Sequence, residues 1–405
     1  MTPANRYRSQ MGSRSLELQL PDSTRTECSV GSPSGIPLRD MVRQALESPL
    51  EFPSVSAAIL DEDAVAIAIE EGVPEAPAIV VEIVRWMLEQ KFKPQQITVV
   101  LGSRDPRLVA EVKLAQAEFS SEDPQKTVVR MVEHDPNLSE RLEYIAAAKS
   151  ADPIYIQRDL AEAAFVVPVY CIRHPDAPSA SDQYAMSPMF ADAKTQQRWH
   201  LAWMHDNVQH KHTQLRLSRE AGWLMGIQFA MAVVPAIGGR VAQLIGGDPA
   251  TVHQHAMETW QGASKVDLGQ SPLYDLIIAC VDGAQDQQTW MNVARAVWQA
   301  DQRLQPAGRV VVCADLDRVT DGIAQLASDE PDEELQRHLL HSESQDAFAA
   351  TILRSIQAKR SVYLCSNLKE GQIESLGFAF ITDSSDIERL AQSAGRVGWL
   401  PASQF

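Results

Sequence analysis

Apolar residues along this chain fall into short solid runs and longer periodic ones. Ala64 to Ile69, Ile97 to Leu101, Val128 to Val132, Ile154 to Ile156 and Phe165 to Ile172 are apolar almost throughout and predict buried strands. Between the first two, residues 78–91 set Ile79, Ile83, Trp86 and Met87 at helical spacing. Pro106 suits a helix first turn and opens a second periodic run over 108–119. Strands alternating with helices predict an α/β unit with a mostly parallel sheet. The rhythm returns after residue 272, with strands over 276–281, 309–314 and 362–365. Helices are expected there over 289–304, 347–358, 370–376 and 386–394.

The stretch between the two rhythms is different. Residues 179–220 are polar, carry Met, Trp and His, and predict one long helix over 194–209. Two apolar segments, 225–234 and 241–245, and a helix over 249–262 follow. Gly262 to Pro272 has the composition of a linker. The expected architecture is two α/β domains with mostly parallel sheets facing each other across a cleft. The first covers 1–265, with 1–15 loose. The second, Rossmann-like, covers 272–405.

Composition narrows the partners. Lys and Arg number 36 against 53 Asp and Glu, a formal charge of −17. Such a surface repels phosphate backbones and anionic lipid, so neither nucleic acid nor a membrane is expected as partner. Gly222 to Gly238, the longest apolar stretch, is broken by Gln228 and too short to span a bilayer. Cys28, Cys171, Cys280, Cys313 and Cys365 are odd in number and widely spaced, which argues against a disulfide framework and a zinc ribbon. With no hydrophobic leader segment before residue 50, the cytosol is the expected compartment.

Open α/β sheets bind ligands beyond the carboxyl ends of their strands. Four such ends carry reactive residues: Glu70-Glu71-Gly72, Gly102-Ser103-Arg104-Asp105, Arg173-His174-Pro175-Asp176, and Asp282-Gly283. The helix after the last of these carries Asn292 and Arg295, three apart and on one face. Each has a plainer reading: turn acids, a local ion pair, a structural histidine, a solvated arginine. His200, His205, His210 and His212 do not space like ligand pairs, since five helical residues turn through about 140°. Motifs for serine hydrolases, P-loop enzymes, zincins and dinucleotide binding are missing from the sequence.

The order of these segments resembles the nickel-dependent lactate racemase family over roughly 16–401. ALESPL at 45–50, QQITVVLGSRDP at 95–106, IYIQRDLAEAAFVVPVYCIRHP at 154–175, LIGGDPATVHQHA at 244–256 and SVYLCSNLKEGQIESLGF at 361–378 carry the resemblance. It implies a 2-hydroxy acid racemised by hydride transfer to a nickel-pincer nucleotide. Under it, His174 is a catalytic histidine, His200 the nickel ligand, and Asn292 with Arg295 holds the substrate carboxylate. Ser103, Glu71 and Tyr184 fall at cofactor positions. The sequence also departs from the family. Arg104 stands where a second catalytic histidine is expected, and arginine stays protonated. Tyr184, in SASDQYAMSPM, replaces the tethering lysine, and EEGVPEAP lacks the family's Arg and Thr of the phosphate loop. Two functions follow from this pattern. One is a racemase or epimerase of 2-hydroxy acids with a noncovalent pincer. The other is a member without the cofactor that binds or senses a small anion.

Overall fold

The computed structural model describes residues 5–102, 109–110, 129–150, 152–178, 180–204, 208–263, 273–344 and 346–405. Two six-stranded sheets organise it. Strands β1 (Asn5–Met11), β2 (Arg14–Leu20) and β3 (Arg25–Thr26) come first, then β4 (Val65–Ile69), β5 (Ile97–Leu101) and β6 (Arg130–Glu133). A hairpin of β7 (Leu142–Ala147) and β8 (Pro153–Gln157) stands apart, and β9 (Phe165–Cys171), β10 (Ala230–Ala236) and β11 (Arg240–Gly247) complete the first half. The first sheet runs β11-β10-β9-β4-β5-β6, parallel except for the β10–β11 pair.

The second half contributes β12 (Tyr274–Cys280), β13 (Leu304–Cys313), β14 (Ser361–Cys365), β15 (Ala379–Phe380) and β16 (Val397–Leu400). They form an all-parallel sheet in the order β15-β14-β13-β12-β16-β3. The chain is thus an α/β protein of two sheet-centred halves. β4 shows why the run 64–69 is apolar at every position: all five of its residues are buried, because helices cover both faces of a central parallel strand. The 76–89 helix buries Ile79, Ile83, Trp86 and Met87 against that sheet, as their spacing requires.

Several expectations need correction. The N-terminal residues expected to be loose form β1, paired in register with β2. Met11, Leu16, Leu18 and Leu20 of this hairpin pack under the second sheet beside Leu276, Ile278 and Trp399, so residues 5–26 do not belong to the first half. The chain end crosses the other way: Ala402 and Phe405 join the core of the first sheet. Of the span 194–209 expected as one helix, the described residues lie in Ala193–Met204 and at the start of Val208–Leu224, and 205–207 lie outside the described residues. The run 154–156 lies in the separate hairpin and not in the main sheet. β16 had no counterpart in the sequence reading, although it sits beside the central β12.

The halves touch closely where their turns meet. Gly238 and Gly239 turn the chain between β10 and β11 with φ of 78° and 63°, and a Cβ on Gly239 would overlap the Gly283 Cα. Beside this contact Asp282 accepts hydrogen bonds from the Ser9 hydroxyl and the Gly238 N–H, while Gln404 bonds its backbone. One carboxylate thus joins β1, the first sheet, the second sheet and the chain end.

Candidate functional site

The carboxyl ends of β4 and β9 lie side by side, because the two strands pair in parallel register. That brings Glu70 and Arg173 together, both side chains about 1% exposed, with a 2.9 Å contact from Arg173 Nη1 to Glu70 Oε2. Glu70 also accepts from the Cys171 N–H at 2.8 Å and from the Ser181 hydroxyl. Arg173 Nη2 donates to the carbonyls of Glu71 and Gly72, both at 3.0 Å. Burial opposes the Arg173 charge, but Glu70, Cys171 and Glu71 together outweigh it and hold the guanidinium pKa above its ordinary value.

From the second half, the 290–301 helix delivers Asn292 and Arg295 to the same spot. Its N-cap Thr289 hydroxyl accepts from the Asn292 N–H, and Arg295 Nη1 donates to Asn292 Oδ1 at 2.7 Å. Both side chains are buried, against the plainer reading of a solvated arginine. Burial first, and then the Arg173 charge, push the Arg295 pKa down to about 10. Gly72 fills the space between these groups with φ of 76°. A Cβ there would lie 2.8 Å from Arg295 Nη1 and 3.1 Å from Arg173 Nη2. Gly72→Ala is accordingly expected to lower stability by about 1–3 kcal/mol, through backbone strain and the displaced guanidinium. A thermal melt checks this, and an unchanged melting temperature would contradict the packing.

Adjacent to this seam lies a cavity of about 420 Å³ with walls from both halves. Glu71, His134, Lys194, His200 and Met291 line it, with Phe348 closing one side. His200 and Phe348 stack face to face, ring centroids 3.8 Å apart and planes 9° from parallel. Desolvation pushes the His200 imidazole down to about 3, so it is neutral at any ordinary pH. Lys194 is exposed and marks the rim.

This arrangement of two sheets has counterparts among solved structures. The lactate racemase apoprotein from Thermoanaerobacterium thermosaccharolyticum matches with a TM-score of 0.71 at 15% identity, over 98% of each chain. The chain has the lactate racemase fold. A protein from Thermotoga maritima is also similar, with a TM-score of 0.61 at 10% identity over 91% of this chain and 96% of that one. No family model matches the sequence, and no curated protein matches it. Likeness at this level shows the fold, and chemistry has to be argued from the site.

On the racemase fold only some of the candidate residues gather: Asn292 and Arg295 meet at the seam beside Glu71. Glu71 and His200 line the cavity; His174, Tyr184, Asn292 and Arg295 are not among its walls. Ser103 and Arg104 lie outside the described residues. His174 packs between Trp260 of the first half and Trp298 of the second, with ring centroids 6.1 and 5.8 Å away. Its Nδ1 accepts from the Asp176 N–H at 3.1 Å, so the lone pair a general base needs is already engaged. Burial lowers its pKa, with Asp176 opposing and Arg303 assisting. Tyr184 lies against Gly222 and packs beside Met186 and Phe190, while its backbone N–H donates to Asp182.

A nickel-pincer nucleotide is therefore a poor fit to these residues. The tether position holds a tyrosine turned into a helix packing contact. The proposed nickel ligand is stacked on a phenylalanine. Glu70 of the expected phosphate loop is ion-paired with Arg173. Among the described residues, no group of three or more His, Cys, Asp or Glu is placed to hold a metal ion. None of the described helices is long and apolar enough to cross a membrane.

One cavity residue, His134, has no place among the sequence expectations, and Arg173 has a place but no role. His134 follows β6 directly, and its Nε2 is 3.0 Å from the Ala191 carbonyl, which fixes that nitrogen as the donor. The carboxyl-end rule would have found it had the strand been carried past Val132. Arg173 stands at a strand end that the sequence marks, and the register of β4 and β9 makes it the partner of Glu70.

Proposed function

We propose that this chain is a small-molecule-binding protein built on the lactate racemase fold, taking a 2-hydroxy acid or related small anion in its interdomain cleft without pincer chemistry. The observation that carries this reading is the commitment of His174: its basic lone pair accepts a backbone N–H, and its ring is wedged between Trp260 and Trp298. A hydride-transfer racemase needs a free base at the substrate hydroxyl. The binding parts remain. A cavity of about 420 Å³ suits a small ligand, Lys194 stands at its rim, and the Arg173 and Arg295 guanidiniums pack against the loop that contributes Glu71 to its wall.

Calorimetric titration with D- and L-lactate and longer 2-hydroxy acids tests the proposal. Saturable 1:1 binding is expected for at least one of them, weakened by Lys194→Glu through loss of rim attraction. No heat from any member of the series would overturn it. The second reading, a racemase or epimerase of 2-hydroxy acids, draws support from His200, which faces the cavity at the position the resemblance gives to the nickel ligand. Racemisation of either lactate enantiomer by protein co-expressed with pincer-synthesising enzymes would favour that reading.

A further inference from the structure

Cys280, Cys313 and Cys365 end three neighbouring strands, and the parallel register pairs Cys280 with Cys313 and Cys313 with Cys365. In-register positions on adjacent strands share a face, with backbones about 4.8 Å apart. All three are buried, all are free thiols, and all point into the layer under the β1–β2 hairpin. The three positions form one row across the sheet, and the Arg14 guanidinium stands close enough to Cys313 and Cys365 to favour their charged forms. Arg14 comes from the start of β2 and is half-buried, yet its Nη1 is sealed from solvent with no hydrogen-bond partner. A buried donor left unmatched costs about 1–3 kcal/mol. Three small core residues would satisfy the packing without laying a spare guanidinium donor over them.

We propose that this cysteine ladder is a binding site for one soft, two-coordinate cation of the Cu(I) type, held between Cys313 and a neighbouring thiolate. Thiolate sulfur selects such ions. The sulfurs are strung along the sheet and not gathered round a point, so two-coordination fits where a three-ligand site does not. Two S–H bonds break, two metal–sulfur bonds form, and both protons leave to solvent with no change of oxidation state. The resulting bis-thiolate carries one negative charge, which Arg14 neutralises through its unmatched Nη1. All three thiols are buried, so bulky alkylating reagents reach them poorly, whereas a small ion that bonds sulfur directly can enter.

Anaerobic titration with Cu(I) buffered by bathocuproine disulfonate, read by native mass spectrometry, tests the site. The wild-type chain is expected to take one Cu(I) with loss of two protons. Because Cys313 is central, Cys280→Ser and Cys365→Ser should each retain the ion, whereas Cys313→Ser should lose it. Arg14→Ala should weaken binding by about 10–100-fold at unchanged stoichiometry, as expected of an outer-shell partner. Cys28→Ser and Cys171→Ser should bind as the wild type does. If Cys313→Ser fails to fold, the Cys280→Ser, Cys365→Ser double variant isolates Cys313 and should also lose the ion. Wild-type protein without stoichiometric Cu(I), or tight binding that survives loss of Cys313 or of both its neighbours, would overturn the proposal.

Discussion

Arg173→Ala is expected to destabilise the chain by about 3–5 kcal/mol, because it strands the buried Glu70 carboxylate without its cation. The loss has two parts. The charge of Glu70 keeps only the Cys171 N–H and the Ser181 hydroxyl, and the Glu71 and Gly72 carbonyls lose their shared donor. Glu70→Gln should cost less, since the amide can still accept from Cys171 and leaves Arg173 its carbonyl partners. A double-mutant cycle in denaturant separates the pair from the loop contacts, with the combined loss expected to fall short of the sum of the single ones. Losses below about 1 kcal/mol for Arg173→Ala would mean that the pair behaves as an exposed surface bridge does.

The second large effect is a pH dependence centred on Asp282. Burial pushes this carboxyl up to about 6, against the lowering effects of the Ser9 hydroxyl and the Gly238 and Ala402 N–H groups. Between the unfolded value near 3.8 and that folded value, the native chain holds a proton that the unfolded chain has released. The stability contributed by Asp282 is therefore full below pH 4 and is lost as pH rises through 6. The total amounts to about 3 kcal/mol for a shift of about two units. Asp282→Asn removes this slope. Unfolding free energies measured for both proteins from pH 4 to 7 should yield a difference curve that falls by about that amount, and a flat curve would contradict the assignment.

What the sequence revealed depended on how local each signal was. β4, β5 and β9 could be read directly, because a strand buried on both faces must be apolar at every position. β16 is also wholly buried, but Val397 to Leu400 is only four residues long and Gly398 interrupts its apolar run. The hairpin at the N-terminus alternates as a half-buried strand should, yet nothing in that alternation says which sheet it will cover.

The site followed the same rule. Strand ends named the loops where Glu70, Glu71 and His174 stand, since that rule depends only on topology. Which neighbour turns inward is a matter of packing. Trp260 and Trp298, more than 80 residues downstream of His174, hold its ring in their contact, while Arg173 takes the buried position beside Glu70. Arg295 on an amphipathic helix looks like a solvent-facing residue until the first sheet is brought against it. Pairwise arrangements of this sort depend on tertiary contacts that residue spacing does not encode.

The most direct test of function is native mass spectrometry, with nickel quantified, on the chain co-expressed with the enzymes that make the pincer nucleotide. A His174 whose lone pair is engaged, a Tyr184 packed on Gly222 and a His200 stacked on Phe348 predict the bare polypeptide mass and no stoichiometric nickel. One nickel per chain together with an added nucleotide mass would contradict that prediction and make this protein a holoenzyme of the racemase type.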